Sequence, residues 1–203
     1  ETLFYLDFRV KAFMEGLISP QVTAFMVGIT NLGGVSLIVI VSAVITLYLL
    51  YKRYWWDLFA FFLVAGGGEI ILFILKLLFH RPRPTAKLVT VHGYSFPSGH
   101  AFASMMVYGF LIYITWKLIK SEVLRFLIFS LSIIFIIFVG ISRIYLKVHW
   151  LTDVLGGYTA GVAWLLFSIV IVNTVRQMTS TKRDKSIYNA EGDKGKHPDP
   201  ERF

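Results

Sequence analysis

Two of the five histidines stand where acid–base or nucleophilic chemistry is feasible. His100 closes the tetrapeptide Pro97-Ser98-Gly99-His100, and His149 lies four residues before Asp153 in the stretch SRIYLKVHWLTD, residues 142–153. On a helix that spacing puts imidazole and carboxylate on one face, so the carboxylate can hold one ring nitrogen and leave the other free. This is the base-and-orienter half of a catalytic triad. The same pair also serves simply as a cap at a helix start, and the spacing alone leaves both readings open. Pro97 ends an extended segment, Ser98 is a favoured N-cap, and Gly99 with His100 opens a helix. A first turn carries unpaired backbone N–H groups and the positive dipole end, and glycine lets an anion approach closely, so it can hold a phosphate. The plain alternative is that Pro-Ser-Gly only starts a helix.

Cations accompany both histidines. The stretch KLLFHRPRP sets Lys76 at the end of an apolar run and Arg83 just beyond it, past a proline-enforced extended turn, and Arg143 precedes His149. Each is the right partner for phosphoryl oxygens, although basic residues at helix ends also serve as snorkelling anchors. Glu69, inside the run AGGGEIILF, is an intramembrane carboxylate, a candidate either for a headgroup cavity or for pairing a buried polar group. Gly66 to Gly68, and likewise Gly156 and Gly157, read as close helix contact. His80, Arg81, Lys87 and His92 read as solvated loop residues, and Trp55, Trp56, Trp116 and Trp150 as interfacial aromatic belts.

The elements that position these groups are membrane helices. The chain of 203 residues is 56% hydrophobic, with a mean hydropathy of +0.68, far above soluble domains. Apolar runs at Val35–Tyr51, Leu58–Phe79, Ala101–Trp116, Phe126–Tyr145 and Val154–Val172 are each long enough, with their flanks, to cross a bilayer. The fold class expected is therefore all-α: a polytopic bundle of about five transmembrane helices. Ahead of them, TLFYLDFRVKAFMEGLISP mixes charge with apolar residues at helical spacing, as an interfacial helix or a short helix packed on the bundle does. The chain opens on Glu1 rather than Met, which suggests a preceding segment able to hold a further span.

Lys52, Arg53, Lys117, Lys120, Arg125, Arg176, Lys182, Arg183 and Lys185 gather on one face, cytoplasmic by the positive-inside rule. The net charge of +8 follows from that topology and implies no nucleic-acid partner. The loop from His80 to Ser98 and the junction from Ser142 to Asp153 then meet on the outer face. Residues 1–179 form the membrane domain, and 180–203 are expected to be a disordered, charged cytoplasmic tail. The chain has no cysteine, so neither disulfides nor thiolate metal sites arise.

Together the motifs resemble the type 2 phosphatidic acid phosphatase family. Its signature has three parts: Lys, six residues, then Arg-Pro; Pro-Ser-Gly-His; and Ser-Arg, five residues, His, three residues, Asp. Here these are Lys76 to Arg83-Pro84, Pro97 to His100, and Ser142, Arg143, His149 and Asp153, without a substitution. The match spans 76–153; the six helices usual in the membrane branch of the family exceed the five runs counted here.

The resemblance implies that His149 attacks phosphorus to form a phosphohistidine, with Asp153 fixing its tautomer, and that His100 protonates the leaving group and then activates water. Lys76, Arg83 and Arg143, with Ser98 and the Gly99 N–H, would meet the phosphoryl oxygens. No cofactor is implied. No acidic cluster suited to Mg²⁺ or Zn²⁺ occurs among these residues, so activity is expected without metal.

A site at the outer ends of spanning helices suits a lipid phosphate or pyrophosphate whose chain stays in the bilayer, such as undecaprenyl pyrophosphate, phosphatidylglycerol phosphate or phosphatidic acid. Short loops and the absence of an Asn-x-Ser/Thr sequon point to a bacterial inner membrane, with the site on the periplasmic or extracellular side. The rival readings are a lipid phosphotransferase and a non-catalytic lipid or phosphate transporter. Vanadate-dependent haloperoxidases use a closely similar anion site, but spanning helices fit them poorly, and vanadate is expected to inhibit.

Overall fold

The structure, a computed structural model, describes residues 2–32, 34–85 and 87–194. Its elements are α1 (Thr2–Glu15), α2 (Pro20–Leu32), α3 (Val35–Tyr51), α4 (Trp55–Phe79), α5 (Gly99–Leu118), α6 (Glu122–Tyr145) and α7 (Leu151–Lys194). Five helical stretches are long and apolar enough to cross a membrane: Pro20–Tyr51, Trp55–Phe79, Gly99–Leu118, Glu122–Tyr145 and Leu151–Thr181. The expected count of five spans holds. The first apolar stretch is longer than expected, because α2 precedes α3 and carries it back from Val35 to Pro20. α7 also continues to Lys194, where a disordered tail was expected from residue 180; its Lys, Arg and Glu residues are good helix formers and the first proline comes only at Pro198. Residues 195–203 of that tail lie outside the described residues.

α5 is the central helix, packed by α3, α4, α6 and α7. Phe102, Met106 and Phe110 on α5 join Phe61 and Val64 on α4 and Leu165 and Val172 on α7 in one apolar core. The approach of α5 to α7 is closer than side chains allow. A Cβ at Gly157 would fall 2.7 Å from the Ser98 carbonyl oxygen, and one at Gly161, a turn later on the same face, 3.0 Å from that of Phe102. This contact fixes the first turn of α5 against the first turns of α7, and Ser98 N–H donates to the Asp153 carbonyl at 2.9 Å across it. Gly67 and Gly68 likewise seat Trp164 and Met106, as expected of close helix contacts; Gly66 faces open space.

Termini are set locally. Ser121 caps α6, its hydroxyl accepting from Leu124 N–H at 3.4 Å. α4 ends where His80 turns left-handed (φ 44°) and donates its N–H to the Lys76 carbonyl at 3.2 Å. At the C-terminal end of α5 Lys117 forms an ion pair with Asp57, tying α5 to α4. α1 packs on α6 and α7 at the opposite end, presenting exposed Phe4, Tyr5, Phe8 and Phe13, as an interfacial helix does.

Gly157→Ala is expected to lower the melting temperature in detergent by an amount corresponding to about 1–3 kcal/mol, because the added methyl meets backbone that cannot step aside. Gly66→Ala, with nothing within 4 Å, is the control and should be neutral or slightly stabilising. Thermal melts followed by circular dichroism distinguish the two.

Candidate active site

The loop between α4 and α5 is pinned by hydrogen bonds to its own backbone. Ser95 donates its N–H to the Arg81 carbonyl at 2.8 Å and its hydroxyl to that of Pro82 at 2.9 Å. Arg83 stitches this loop to the α6–α7 turn, donating to the carbonyls of Gly93 at 2.9 Å, His92 at 3.1 Å and Val148 at 2.8 Å. One further Arg83 N–H points at His149 Nε2, 3.0 Å away.

A guanidinium can only donate, so Nε2 of His149 carries a lone pair and the ring proton sits on Nδ1. Nδ1 lies 3.3 Å from Asp153 Oδ2, which also accepts the Trp150 N–H at 2.9 Å. The His–Asp contact and the helix cap thus share one carboxylate. Asp153 reaches back to cap the start of α7, and the same oxygen fixes the His149 tautomer. His149 is buried, in the turn outside the spans of α6 and α7, and burial pushes its pKa down to about 4. The positive fields of Arg83 and Arg143 add to that effect, and Asp153 partly opposes it. Arg83 is itself lowered, mainly by burial. The imidazole is thus neutral, with Nδ1 toward Asp153 and the Nε2 lone pair turned away from that carboxylate, an arrangement able to attack an electrophile.

The remaining expected residues gather around it. Ser98 occupies the N-cap position of α5 in extended conformation, yet its hydroxyl makes no capping bond, is fully buried and has no partner among the described residues. Arg143, 3% exposed, gives one N–H to Thr30 Oγ1 at 2.7 Å while its Nε is buried without a partner. Two orphaned buried groups beside the first turn of α5 are what an oxyanion would satisfy. Lys76 extends from the last turn of α4 to the carbonyls of Tyr94 at 3.0 Å and Pro97 at 3.1 Å, at the mouth of that turn. His100 is half-buried and lies within the electrostatic reach of Arg143, His149, Arg83 and Lys76. Gly99 brings its first-turn N–H to the same place, with Leu72 close behind its Cα.

Three readings change. Glu69 stands apart from the cluster, on the exposed flank of α4 two helical turns before Lys76. Arg81 is no solvated loop residue: it bonds Asp153 Oδ1 and Asp7 Oδ2, each at 2.6 Å. Trp150 is built into the site as well as suiting a belt, its indole N–H reaching the Pro82 carbonyl at 3.2 Å. Asp7, Thr30 and Thr152 were not anticipated. The one signal in sequence was a lone aspartate at helical spacing among the aromatics of α1.

Residues 55–177 match the family model of the PAP2 superfamily. The chain is 36% identical over 156 residues to phosphatidylglycerophosphatase B of Bacillus subtilis, covering 74% of each protein. It is 30% identical over 156 residues to a palmitoyl-protein thioesterase-dolichyl pyrophosphate phosphatase fusion of Schizosaccharomyces pombe, covering 75% of this chain and 25% of the fusion. Among solved structures, a transmembrane PAP2-type phosphatidylglycerolphosphate phosphatase from Bacillus subtilis superposes with a TM-score of 0.78 at 29% identity, over 86% of this chain and 88% of that one. Aquifex aeolicus LpxE shares the fold, with a TM-score of 0.63 at 20% identity over 80% and 93% of the two chains.

The lowered pKa of His149 has a definite sign in stability. Above about 6.5 neither the folded nor the unfolded state is charged there, so the group contributes nothing. Between about 6.5 and about 4 the unfolded chain takes a proton that the fold refuses, and stability falls with pH. The melting temperature of the wild type minus that of His149→Gln is therefore expected to shrink as pH drops through this window and to level off below it. Paired melts across that range check this.

Proposed function

The chain belongs to the PAP2 superfamily and is a lipid phosphatase of the membrane; from that premise we propose that it hydrolyses its substrate through a phosphohistidine on His149. The observation that carries this reading is the resting geometry of His149, with Nδ1 turned to Asp153 and Nε2 free of any proton. In the first step the Nε2 lone pair attacks phosphorus in line with the scissile P–O bond. That bond breaks, and His100 gives its proton to the departing oxygen of the lipid alcohol or, for a pyrophosphate, of the lipid phosphate. In the second, His100 takes a proton from water, the hydroxide attacks phosphorus, and the P–N bond returns its electrons to Nε2.

Arg83 moves its N–H from Nε2 to the transferring group as the substrate enters, joined by Arg143, Lys76, the Ser98 hydroxyl and the Gly99 N–H. These donors meet charge that spreads over the equatorial oxygens in the transition state. Asp153 stabilises the imidazole as it becomes cationic.

The substrate class follows from place and from the relatives. The site lies at the outer ends of α4 and α5 and the start of α7, where a headgroup can enter while its chain remains beside the helices. The similarity to phosphatidylglycerophosphatase B supports phosphatidylglycerol phosphate first, and the weaker similarity to the dolichyl pyrophosphate phosphatase fusion supports isoprenoid pyrophosphates such as undecaprenyl pyrophosphate second. The basic residues at the opposite end support a site on the periplasmic or extracellular face of a bacterial plasma membrane.

Purified protein in detergent with EDTA is expected to release phosphate from phosphatidylglycerol phosphate and more slowly from undecaprenyl pyrophosphate. His149→Ala should fall to background and His100→Ala by about 10²- to 10⁴-fold, while Asp153→Asn should keep a reduced but measurable rate. Full turnover by His149→Ala, or loss of turnover with EDTA, would overturn the mechanism. No release from any lipid phosphate would favour transport or transfer to an acceptor other than water.

A further inference from the structure

Beside the His149 cluster, Arg81 has its charge taken up by two carboxylates, Asp7 and Asp153. Its Nη1 donates to Asp153 Oδ1 and to Thr152 Oγ1, both at 2.6 Å, and its Nη2 donates to Asp7 Oδ2 at 2.6 Å. Asp7 is 2% exposed and saturated, since Oδ1 accepts the Thr152 N–H at 2.9 Å and Oδ2 also accepts the Thr152 hydroxyl at 2.7 Å. The group it restrains is the orienter: Asp153 gives Oδ1 to Arg81 and Oδ2 to His149 and Trp150. Phe4 and Phe8, on the same face of α1 as Asp7, wall a cavity of about 330 Å³ with Phe79, Pro82 and Trp150, and the Arg81 guanidinium lies 5.6 Å from the Phe4 ring and 5.7 Å from that of Trp150. Aromatic surroundings lower the local dielectric and strengthen the charge pairs they enclose. A second tie, from Glu15 to Lys147 at 2.8 Å, holds the other end of α1 to the turn that carries His149.

We infer that Asp7 and Arg81 form a positioning relay that holds Asp153, and through it His149, in the geometry from which the imidazole attacks. The relay has two effects. It fixes the carboxylate rotamer, so that one oxygen always faces Nδ1. It also sets how much of the Asp153 charge the imidazole feels, since Arg81 draws on it from one side and Asp7 draws on Arg81 from the other. Asp7 lies outside residues 55–177, so the machinery of this chain extends beyond the segment that matches the family. The inference rests on His149 being the nucleophile.

The titratable and charged groups facing His149 are Asp153 on α7, Arg83 from the loop, Arg143 on α6 and His100 on α5, and none of them is substituted in the test variants. Asp7→Asn, Arg81→Gln and Arg81→Lys are compared with wild type in detergent, using phosphatidylglycerol phosphate and measuring kcat, KM, the acid limb of kcat/KM and the melting temperature. Asp7→Asn and Arg81→Gln should each lower kcat by about 10- to 100-fold with KM little changed, as loss of a group that orients a functional histidine does. Arg81→Lys should recover part of the loss.

The acid limbs should move in opposite directions. Removing the cation in Arg81→Gln lets His149 gain its proton at higher pH, and removing the anion in Asp7→Asn makes it gain the proton at lower pH. Ionisation of the substrate is common to all variants and cancels. Unchanged kcat in stably folded variants would overturn the relay. So would a change confined to KM, which would make Arg81 a headgroup ligand, or a loss of rate that follows the melting temperature with both limbs unmoved. His149→Ala measured alongside separates the two levels: turnover there sinks the nucleophile itself, whereas its absence with normal Asp7→Asn and Arg81→Gln sinks only the relay.

Discussion

Everything at the His149 end of this bundle depends on holding several positive charges together before any anion arrives. Lys76, Arg83 and Arg143 are within electrostatic reach of His100, and like charges at such range repel. The fold answers by solvating them with dipoles. Lys76 donates to two backbone carbonyls, Arg83 to three, and Arg143 to a threonine hydroxyl. Dipoles hold a cation in place without cancelling its charge, so the field remains for a phosphoryl group. Arg81 is treated in the opposite way, neutralised between two carboxylates. That contrast is what the proposed roles rest on: cations left charged for a phosphoryl group, and one cation spent on holding Asp153.

The same economy governs the histidine. Burial and the nearby guanidinium groups keep His149 neutral, and Asp153 chooses which nitrogen stays bare. One carboxylate caps a helix, fixes a tautomer and accepts from Arg81, so the start of α7 and the His149 ring cannot be placed independently. Ser98 shows the complementary choice. It stands at an N-cap and leaves its hydroxyl unused by the helix, while its backbone N–H joins α5 to α7. The glycine contacts at Gly157 and Gly161 make that junction close enough to serve as one wall of the site.

The sequence made the local parts legible. Motifs carried within a turn or two, Lys76 to Arg83, Pro97 to His100 and Arg143 to Asp153, lie together at one end of the bundle, and short spacings on helices and turns leave little geometric freedom within each. Five spans were readable for the same reason: hydropathy is a local property. What escaped was non-local. The Asp7–Arg81 pair joins residues 74 positions apart, and the Arg143–Thr30 bond joins residues 113 apart, and nothing in either neighbourhood announces its partner. Glu69 misled for a related reason. A carboxylate in an apolar run signals cost, but which flank of α4 it occupies depends on how the other helices pack. The helical continuation of α7 past residue 180 shows that charged composition alone does not exclude a helix with good formers and no proline.

The central claim is a covalent bond from phosphorus to His149 Nε2. Mixing enzyme with a phosphate-labelled lipid phosphate, quenching within the first turnover in alkaline denaturant, and mapping the label by peptide mass spectrometry tests it directly. The account predicts a phosphoryl group on His149 that appears and decays at rates consistent with turnover. When His100 is replaced it should form and decay slowly, because His100 supplies the proton for the first step and the base for the second. A phosphoenzyme absent at every time point from an enzyme that turns over, or a label on another residue, would contradict it.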